Sequence, residues 1–191
     1  LGDVYKRQHE HRRHKELKEW VLMKKLITSL LVLGLVLTGV SVGNNVEAAT
    51  GNSMKTVQQL NKGDKSLENV KIGESMKSVL KKYSHPIYSY NPNSNEKYYE
   101  FRTDKGVLLV TANGKKERGN VTRVSMTYND ANGPSYKAVK QQLGHKAISR
   151  VHYNNVTGNF GYIQKGQASY QFSSDSPKDK NVKLYRIDLN K

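Results

Sequence analysis

The chain contains no cysteine, and that absence excludes several kinds of protein. A scaffold stapled by disulfides is excluded, so a folded domain must be stabilised by burial of apolar side chains, which a length of 191 residues permits. A lipoprotein anchor is excluded because there is no thiol to acylate. A cysteine nucleophile is excluded for the same reason.

Motifs of the common enzyme classes are also missing. The sequence has no G-x-S-x-G nucleophile elbow, no H-E-x-x-H metal pair and no phosphate-binding loop. The 11 carboxylates that follow residue 49 are scattered and form no evident acid–base pair. We therefore expect a protein that is not an enzyme and that needs no cofactor and no metal.

Acidic residues are scarce relative to basic ones. The chain has 32 Lys and Arg residues against 16 Asp and Glu residues, a formal net charge of +16. After residue 49 the numbers are 24 and 11, so the excess is not confined to the N-terminal region. A charge of this size attracts anionic partners over long distances.

Residues 23–49 follow the pattern of an export signal and its cleavage site. Residues 1–22 show no apolar periodicity, whereas Met23 is followed by two lysines and then by the apolar run Leu26–Val42. Small residues at Ala48 and Ala49 offer a cleavage site. The run is at the short end for a membrane span, so we expect a cleavable signal peptide at 23–48, preceded by a non-native or upstream segment at 1–22. A cysteine-free, lysine-rich exported chain is typical of Gram-positive bacteria, which predicts a secreted or loosely wall-associated protein.

The most informative positive feature is an internal repeat with an offset of 60 residues. The matched pairs include Gly73 with Gly133, Ser75 with Ser135, Lys77 with Lys137, Val79 with Val139, His85 with His145 and Lys105-Gly106 with Lys165-Gly166. One inserted residue then shifts the offset to 61. The repeat divides the chain into a polar segment at 49–69, a first unit at 70–131 and a second unit at 132–191.

Each unit shows the periodicity of one helix followed by four strands. The helices carry the apolar stripes Met76, Val79, Leu80 and Tyr83 in the first unit and Tyr136, Val139 and Leu143 in the second. We expect the second helix to have Gly133 at its cap and Pro134 at its first position. A further short helix is expected at Ser53–Asn61. The predicted strands are Ile87–Tyr90, Lys97–Thr103, Val107–Ala112, Val121–Tyr128, Ala147–His152, Asn159–Gln164, Gln167–Ser173 and Lys183–Leu189. The fold class is therefore α+β, with two tandem units that each pack a helix on a four-stranded antiparallel sheet.

Alignment of the two units predicts which strand residues face the helices. Positions that are apolar in both units, such as Val124 with Tyr185, are assigned to the covered face. The opposite face is expected to carry Tyr98, Arg102 and Leu109 from the first unit. From the second unit it is expected to carry Ile163 and Leu184.

The first unit also resembles a known group of small secreted modules. The segment Val70-Lys71-Ile72-Gly73, followed by Ser75, Val79, Tyr83 and Pro86, is similar to the helix motif of β-lactamase-inhibitor protein and of SmpA/OmlA-type lipoproteins. That resemblance implies two tandem helix-and-sheet units and a protein-docking role. The whole chain also resembles the small basic exported antigens of staphylococci.

Basic residues in the connections predict the binding chemistry. We expect a non-enzymatic protein that binds an anionic polymer, either extracellular nucleic acid or teichoic-acid-like wall material, because clustered cations neutralise phosphates. The residues assigned to this contact are Lys115, Lys116, Arg118, Arg123, Lys178, Lys180, Lys183 and Arg186. The two units are expected to present these basic connections at the same edge. The tyrosines Tyr98, Tyr128, Tyr153 and Tyr162 could add stacking surfaces.

An alternative is a protein-interaction or enzyme-inhibitor module. Its contact would be the exposed sheet face, through Tyr98, Arg102, Leu109 and Leu184. His85 and His145, equivalent in the repeat, could in principle hold a metal with His152, but no acidic or thiol ligand lies at a fixed spacing from them. We interpret the pair as inherited loop residues of a monomeric protein.

Overall fold

The structure is a computed structural model that describes residues 48–191. Within that range there are three helices and ten strands. The helices are α1 (Met54–Asn61), α2 (Met76–Lys82) and α3 (Tyr136–Leu143). The strands are β1 (Ser66–Leu67), β2 (Val70–Lys71), β3 (Ile87–Tyr90), β4 (Lys97–Thr103), β5 (Gly106–Ala112), β6 (Val121–Tyr128), β7 (Ile148–His152), β8 (Phe160–Lys165), β9 (Ala168–Ser173) and β10 (Lys183–Asn190). The class is mixed α and β with antiparallel strands, and β3 to β10 lie where the sequence periodicity predicts strands.

Serine residues start the helices of both repeat copies. Ser75 Oγ accepts a hydrogen bond from the Ser78 backbone N–H, and Ser135 Oγ accepts one from Ala138, each at 3.3 Å. This contact satisfies a backbone donor that has no partner inside the helix. The prediction that Gly133 caps α3 is therefore wrong, because Ser135 takes that position and leaves Pro134 outside the helix.

Strands β3 to β10 form one continuous eight-stranded sheet. Its order is β3-β4-β5-β6-β10-β9-β8-β7, with every neighbouring pair antiparallel. The strands of the first copy therefore occupy one half of the sheet, and those of the second copy occupy the other half in reverse order. The halves meet where β6 pairs with β10, and Met126 lies opposite Ile187, its own counterpart at an offset of 61. We call β3–β6 the first half and β7–β10 the second half.

One face of the sheet, which we call the inner face, packs against α2 and α3. Tyr83, at the end of α2, contacts Phe101 of β4 with ring centroids 5.4 Å apart. Tyr136 of α3 meets Phe172 of β9 edge-on at the same separation. Alternate strand residues such as Val110 and Ile187 are fully buried on this face. The helices thus cover one side of the sheet and leave the other, the outer face, for contact with solvent or a ligand.

A bulge in β10 overturns the prediction for Leu184 and Tyr185. The pairing between β9 and β10 shifts between Leu184 and Arg186, so Tyr185 is an extra residue without a ladder partner. Leu184 consequently lies opposite Phe172 and is fully buried on the inner face. Tyr185 is only half-buried, and its hydroxyl is directed to Gln171 on the outer face. The sequence placed these two side chains on the wrong faces because an inserted residue reverses the alternation.

The strand registers overturn the prediction for Ile163. Both hairpins have two-residue turns, but the first ladder ends at Thr103 and Gly106 and the second at Lys165 and Ala168, an offset of 62. Ile163 lies opposite Tyr170, which pairs with Ile187, just as Phe101 lies opposite Leu108, which pairs with Met126. Ile163 therefore corresponds to Phe101 on the inner face and is fully buried.

The N-terminal segment is joined to the first half through the buried carboxylate of Glu68. Tyr128 donates a hydrogen bond to Glu68 Oε1 at 3.0 Å, and Lys105 Nζ lies 3.1 Å from Oε2. Burial and the neighbouring Glu68 charge raise the pKa of the Tyr128 phenol above its ordinary value. Tyr128 is therefore a structural residue and not a free stacking platform, contrary to the prediction.

The predicted signal peptide lies almost wholly outside the described residues. Ala49, one of the two predicted cleavage positions, is fully buried, and its carbonyl accepts a hydrogen bond from the Glu68 N–H at 2.8 Å. Among residues 48–191, no helix is long and apolar enough to cross a membrane. The segment predicted to precede the signal, 1–22, also lies outside the described range.

A candidate binding face

The outer face carries a line of side chains that crosses seven strands. The ladder registers connect Arg102, Val107, Thr127, Arg186, Gln171, Tyr162 and Arg150 as successive neighbours. We call this set the arginine row. Adjacent strands lie about 4.8 Å apart, so the row spans about 29 Å with an arginine at each end and one in the middle.

Arginine and lysine are distributed differently in the described part of the chain. Of the five arginines in residues 48–191, four lie in strands, all on the outer face: Arg102, Arg123, Arg150 and Arg186. Most lysines lie instead on helices and connections. Because guanidinium groups bind planar anions in pairs of hydrogen bonds and stack on rings, this segregation marks the outer face as the candidate recognition surface.

The central arginine is held in place by Asp188. Arg186 Nη2 and Nε donate to Asp188 Oδ1 at 2.7 and 3.0 Å, and Gln171 Nε2 donates to Oδ2 at 3.0 Å. Burial by itself raises the pKa of the Asp188 carboxyl, but hydrogen bonds from Arg186 and the surrounding donors outweigh it and hold the pKa below its ordinary value. Asp188 therefore stays charged at neutral pH and fixes the orientation of the guanidinium.

The other outer-face arginines are more exposed. The side chain of Arg102 is 79% exposed and lies 3.7 Å from Glu100, a loose surface pair. Arg123 donates from Nε to Asn190 at 2.7 Å. Arg150 is exposed and makes no ion pair with the rest of the described chain. These groups keep donors available for an external anion.

The basic connections do not lie at the same edge, contrary to the prediction. Strands β6 and β10 are antiparallel, with Arg123 opposite Asn190 and Arg186 opposite Thr127. The connection before β6 therefore lies at one end of the sheet, and the connection before β10 lies at the other. At about 3.3 Å per residue, the length of β6 separates them by roughly 25 Å.

The lysines of these connections nevertheless face solvent. Lys115, Arg118, Lys178 and Lys180 are exposed, while Lys183 is half-buried at the start of β10. Lys116 lies 4.8 Å above the ring of Tyr88 and 3.8 Å from Glu117. The eight predicted polyanion contacts thus form two groups at opposite ends of the sheet.

The predicted protein-contact residues of the first half do lie on the outer face. Tyr98 and Leu109 are partly exposed, and Tyr98 donates a hydrogen bond to Glu96 at 2.7 Å. Exposed Ile87 and Val107 add apolar surface around them. Leu184 is the exception, because it is buried.

The second half contains a groove of about 620 Å³ on the outer face. It is lined by Arg150, Val151, His152, Phe160, Gly161, Tyr162, Gln171, Phe172 and Tyr185. Phe160 is 49% exposed, so its ring is accessible from the outer face. Sequence reasoning missed Arg150 and Phe160 as candidate site residues. A signal was nevertheless available in the sequence. Arg150 and His152 are two residues apart, as are Phe160 and Tyr162, and this spacing places each pair on one face of a strand.

The two repeat-related histidines are both exposed, and His85 has a positive φ of 56°. Within residues 48–191, no group of three or more His, Cys, Asp and Glu side chains is arranged to hold a metal ion.

Comparison with known proteins identifies a matching family. A family model described as SA0570-like matches residues 23–190. The chain belongs to the SA0570-like family. No curated protein and no solved structure matches it. The family match covers the predicted signal and both repeat copies. The comparisons give no support for the resemblance to β-lactamase-inhibitor protein, which stays a prediction.

Proposed function

We propose that this SA0570-like protein is a secreted, non-enzymatic binding protein that holds an anionic polymer across its outer sheet face. The arginine row is the observation that carries the proposal. It sets three guanidinium groups about 14 Å apart on a rigid sheet, with the central one oriented by Asp188. A chain of phosphates could contact each of them in turn.

The lysine-rich connections add positive charge at the two ends of the sheet, and the contacts of Lys116 with Tyr88 and of Glu117 with Tyr99 direct the first of them towards the inner face. Lys115, Lys116 and Arg118 flank Arg123 at one end, while Lys178, Lys180 and Lys183 flank Arg186 at the other. Loop lysines are suited to charge neutralisation without geometric selectivity. In this proposal, arginines fix the path of the polymer and lysines add affinity.

Chromatography on heparin tests the proposal. The protein should be retained at low salt and eluted by moderate salt, because affinity depends on released counterions. Replacing Arg102 and Arg150 together by alanine should lower the elution salt clearly. The matched control replaces Lys77 and Lys137, two exposed repeat-equivalent lysines on α2 and α3, and removes the same charge from the helix side.

The two double variants distinguish binding along the outer face from attraction by net charge alone. An equal decrease for both double variants would show that only net charge matters and would count against the outer face. Flow-through of the unaltered protein at low salt would end the polymer proposal. The paired loop changes Lys115→Glu with Lys116→Glu, and Lys178→Glu with Lys180→Glu, should each weaken retention partially.

A second candidate function is docking of a protein partner on the same face. It is favoured by the exposed apolar side chains beside Tyr98 and Leu109, among them Ile87 at 55% exposure. Arginine, tyrosine and apolar anchors are the composition of protein interfaces. The strand order, with each copy in one half of the sheet, is compatible with the tandem-unit arrangement that the inhibitor resemblance implies.

Salt dependence distinguishes this candidate from polymer binding. A complex recovered from culture supernatant at high salt should persist and should be lost with Tyr98→Ala and Leu109→Ala. It should be insensitive to changes in Lys115 and Lys116. Absence of any stoichiometric complex at high salt would argue against protein docking and leave the polymer proposal unaffected.

A further inference from the structure

The groove of the second half differs chemically from the rest of the basic surface. None of its lining residues carries a carboxylate, and two of them, Arg150 and His152, can present donors to an anion. Asp188, which is hydrogen-bonded to the groove residue Gln171, is itself paired with Arg186. A negatively charged group that enters the groove therefore meets Arg150 and no carboxylate among the lining residues.

Besides the buried Phe172, three partly or largely exposed aromatic rings line the same groove. Tyr162 belongs to the arginine row beside Arg150, Phe160 is two residues earlier on the same strand, and Tyr185 projects from the bulge of β10. Hydrogen bonds orient the tyrosines, since Tyr162 donates to Gln164 at 2.9 Å and Tyr185 approaches Gln171 at 3.4 Å. Phe160 has no polar atom in its side chain, so its exposed ring can offer only an apolar or stacking contact.

We infer that this groove is a stacking site for the bases of single-stranded nucleic acid, with Arg150 contacting the backbone phosphates. The inference rests on the proposed polymer-binding function and selects one of its polymers. Polyol phosphates of wall material and sulfated sugars carry charge but no aromatic base, so they leave the ring faces unused. Aromatic rings beside cations on an open sheet are the arrangement that binds single strands.

The size and position of the groove favour single strands over duplexes. A volume of about 620 Å³ is in the range of sites for ordinary small ligands, enough for a nucleotide unit. Duplex bases are stacked on one another and cannot reach Phe160 without being extruded. The arginine row continues from the groove toward Arg186, which gives the backbone a path across the sheet.

The test compares two probes at equal salt. Fluorescence anisotropy measures binding of a labelled thymidine oligonucleotide in competition with inorganic polyphosphate of matched phosphate number. We expect the unaltered full chain to prefer the oligonucleotide by at least about tenfold and to bind a duplex of the same length more weakly per phosphate.

Variants of Phe160 test whether the preference for oligonucleotide over polyphosphate depends on the groove. Phe160→Ala should weaken oligonucleotide binding by about 5- to 100-fold and leave polyphosphate binding unchanged. Phe160→Leu keeps apolar volume and should lose most of the same preference, which guards against a folding defect. Tyr90→Ala removes a ring of similar exposure, 59%, from the first half and should leave both probes unaffected.

Three results separate the two proposals. Equal affinity for oligonucleotide and polyphosphate would overturn the groove inference while supporting polymer binding. An unaltered oligonucleotide preference in folded Phe160→Ala and Phe160→Leu would place the stacking elsewhere and would overturn it as well. Failure to bind either probe at low salt would overturn the proposed function and the groove inference together.

Discussion

The two halves of the sheet share a strand order but not an outer face. In the first half, Arg102 lies near Glu100, and Tyr98 is hydrogen-bonded to Glu96, so positive and negative groups alternate. In the second half, Arg186 is paired with Asp188, and the groove beside this pair is lined by aromatic and basic side chains without a carboxylate. The inner faces, by contrast, are apolar in both halves. The repeated pattern therefore maintains a common core, while the outer faces have diverged, and our proposals place recognition on those diverged faces.

The largest expected effect is on stability, at a repeat position that is buried in one half and exposed in the other. Leu184 and Arg123 are equivalent in the repeat, but Leu184 is fully buried and Arg123 is exposed. Leu184→Ala should lower the free energy of unfolding by about 2–5 kcal/mol, because it leaves a cavity beneath the bulge. Arg123→Ala should change it by no more than about 0.5 kcal/mol. Denaturant titration measures both, and similar costs would show that the bulge does not reverse the faces.

A smaller difference in stability is expected between two glycines, Gly106 and Gly166, which are matched in the sequence repeat. A Cβ on Gly106, where φ is +141°, would lie 2.1 Å from the backbone oxygen of Thr127, while a Cβ on Gly166 would meet nothing within 4 Å. Gly106→Ala should therefore cost about 3 kcal/mol of unfolding free energy. Gly166→Ala should cost about 1 kcal/mol, since only its positive φ is unfavourable. Thermal denaturation of the two variants checks the order, and equal costs would contradict the difference in their surroundings.

The pH dependence of stability should reveal Asp188, whose repeat counterpart is Thr127. The folded-state pKa of Asp188 is lowered below 3.8, so its contribution is present above that pH and is lost as the pH falls through the folded pKa. At neutral pH, Asp188→Asn should be less stable than the unaltered protein by about 1 kcal/mol. The two should converge as the pH falls through the folded-state pKa of Asp188, below 3.8. Parallel stability curves from pH 6 to pH 2 would contradict the role of this carboxylate.

The smallest effect concerns single arginines at the two ends of the row. Arg102→Ala and Arg150→Ala should each reduce the slope of log affinity against log salt by about 0.7–0.9 for a polyanion that crosses both halves. Measurement of binding to the thymidine oligonucleotide at several salt concentrations gives the slopes. A change for Arg150 alone would confine binding to the second half and shorten the proposed path.

Local pattern was sufficient to predict much of the secondary structure. The apolar stripes of Met76 with Val79 and of Tyr136 with Val139 correspond to helices whose stripes are buried. Alternation placed each strand of the large sheet to within one residue at either end. These features depend on neighbours in the chain, so periodicity is enough to reveal them.

The candidate face was harder to predict, because it is assembled from seven strands. Arg102, Arg150 and Arg186 are far apart in sequence and were not recognised as one group. The ladder registers join them into a row, and the antiparallel pairing of β6 with β10 separates the basic connections that the repeat suggested would lie together. A one-residue bulge was enough to exchange the faces of Leu184 and Tyr185.

The basic charge, the lack of disulfides, the repeat and the elements within each copy could all be read from the chain, because they follow from composition and short-range periodicity. How the copies are joined, which side chains share the outer face and where the aromatic groove lies became clear only from the folded protein. Strand pairing is long-range, so the side chains that meet across a sheet depend on register and bulges, which local periodicity does not specify.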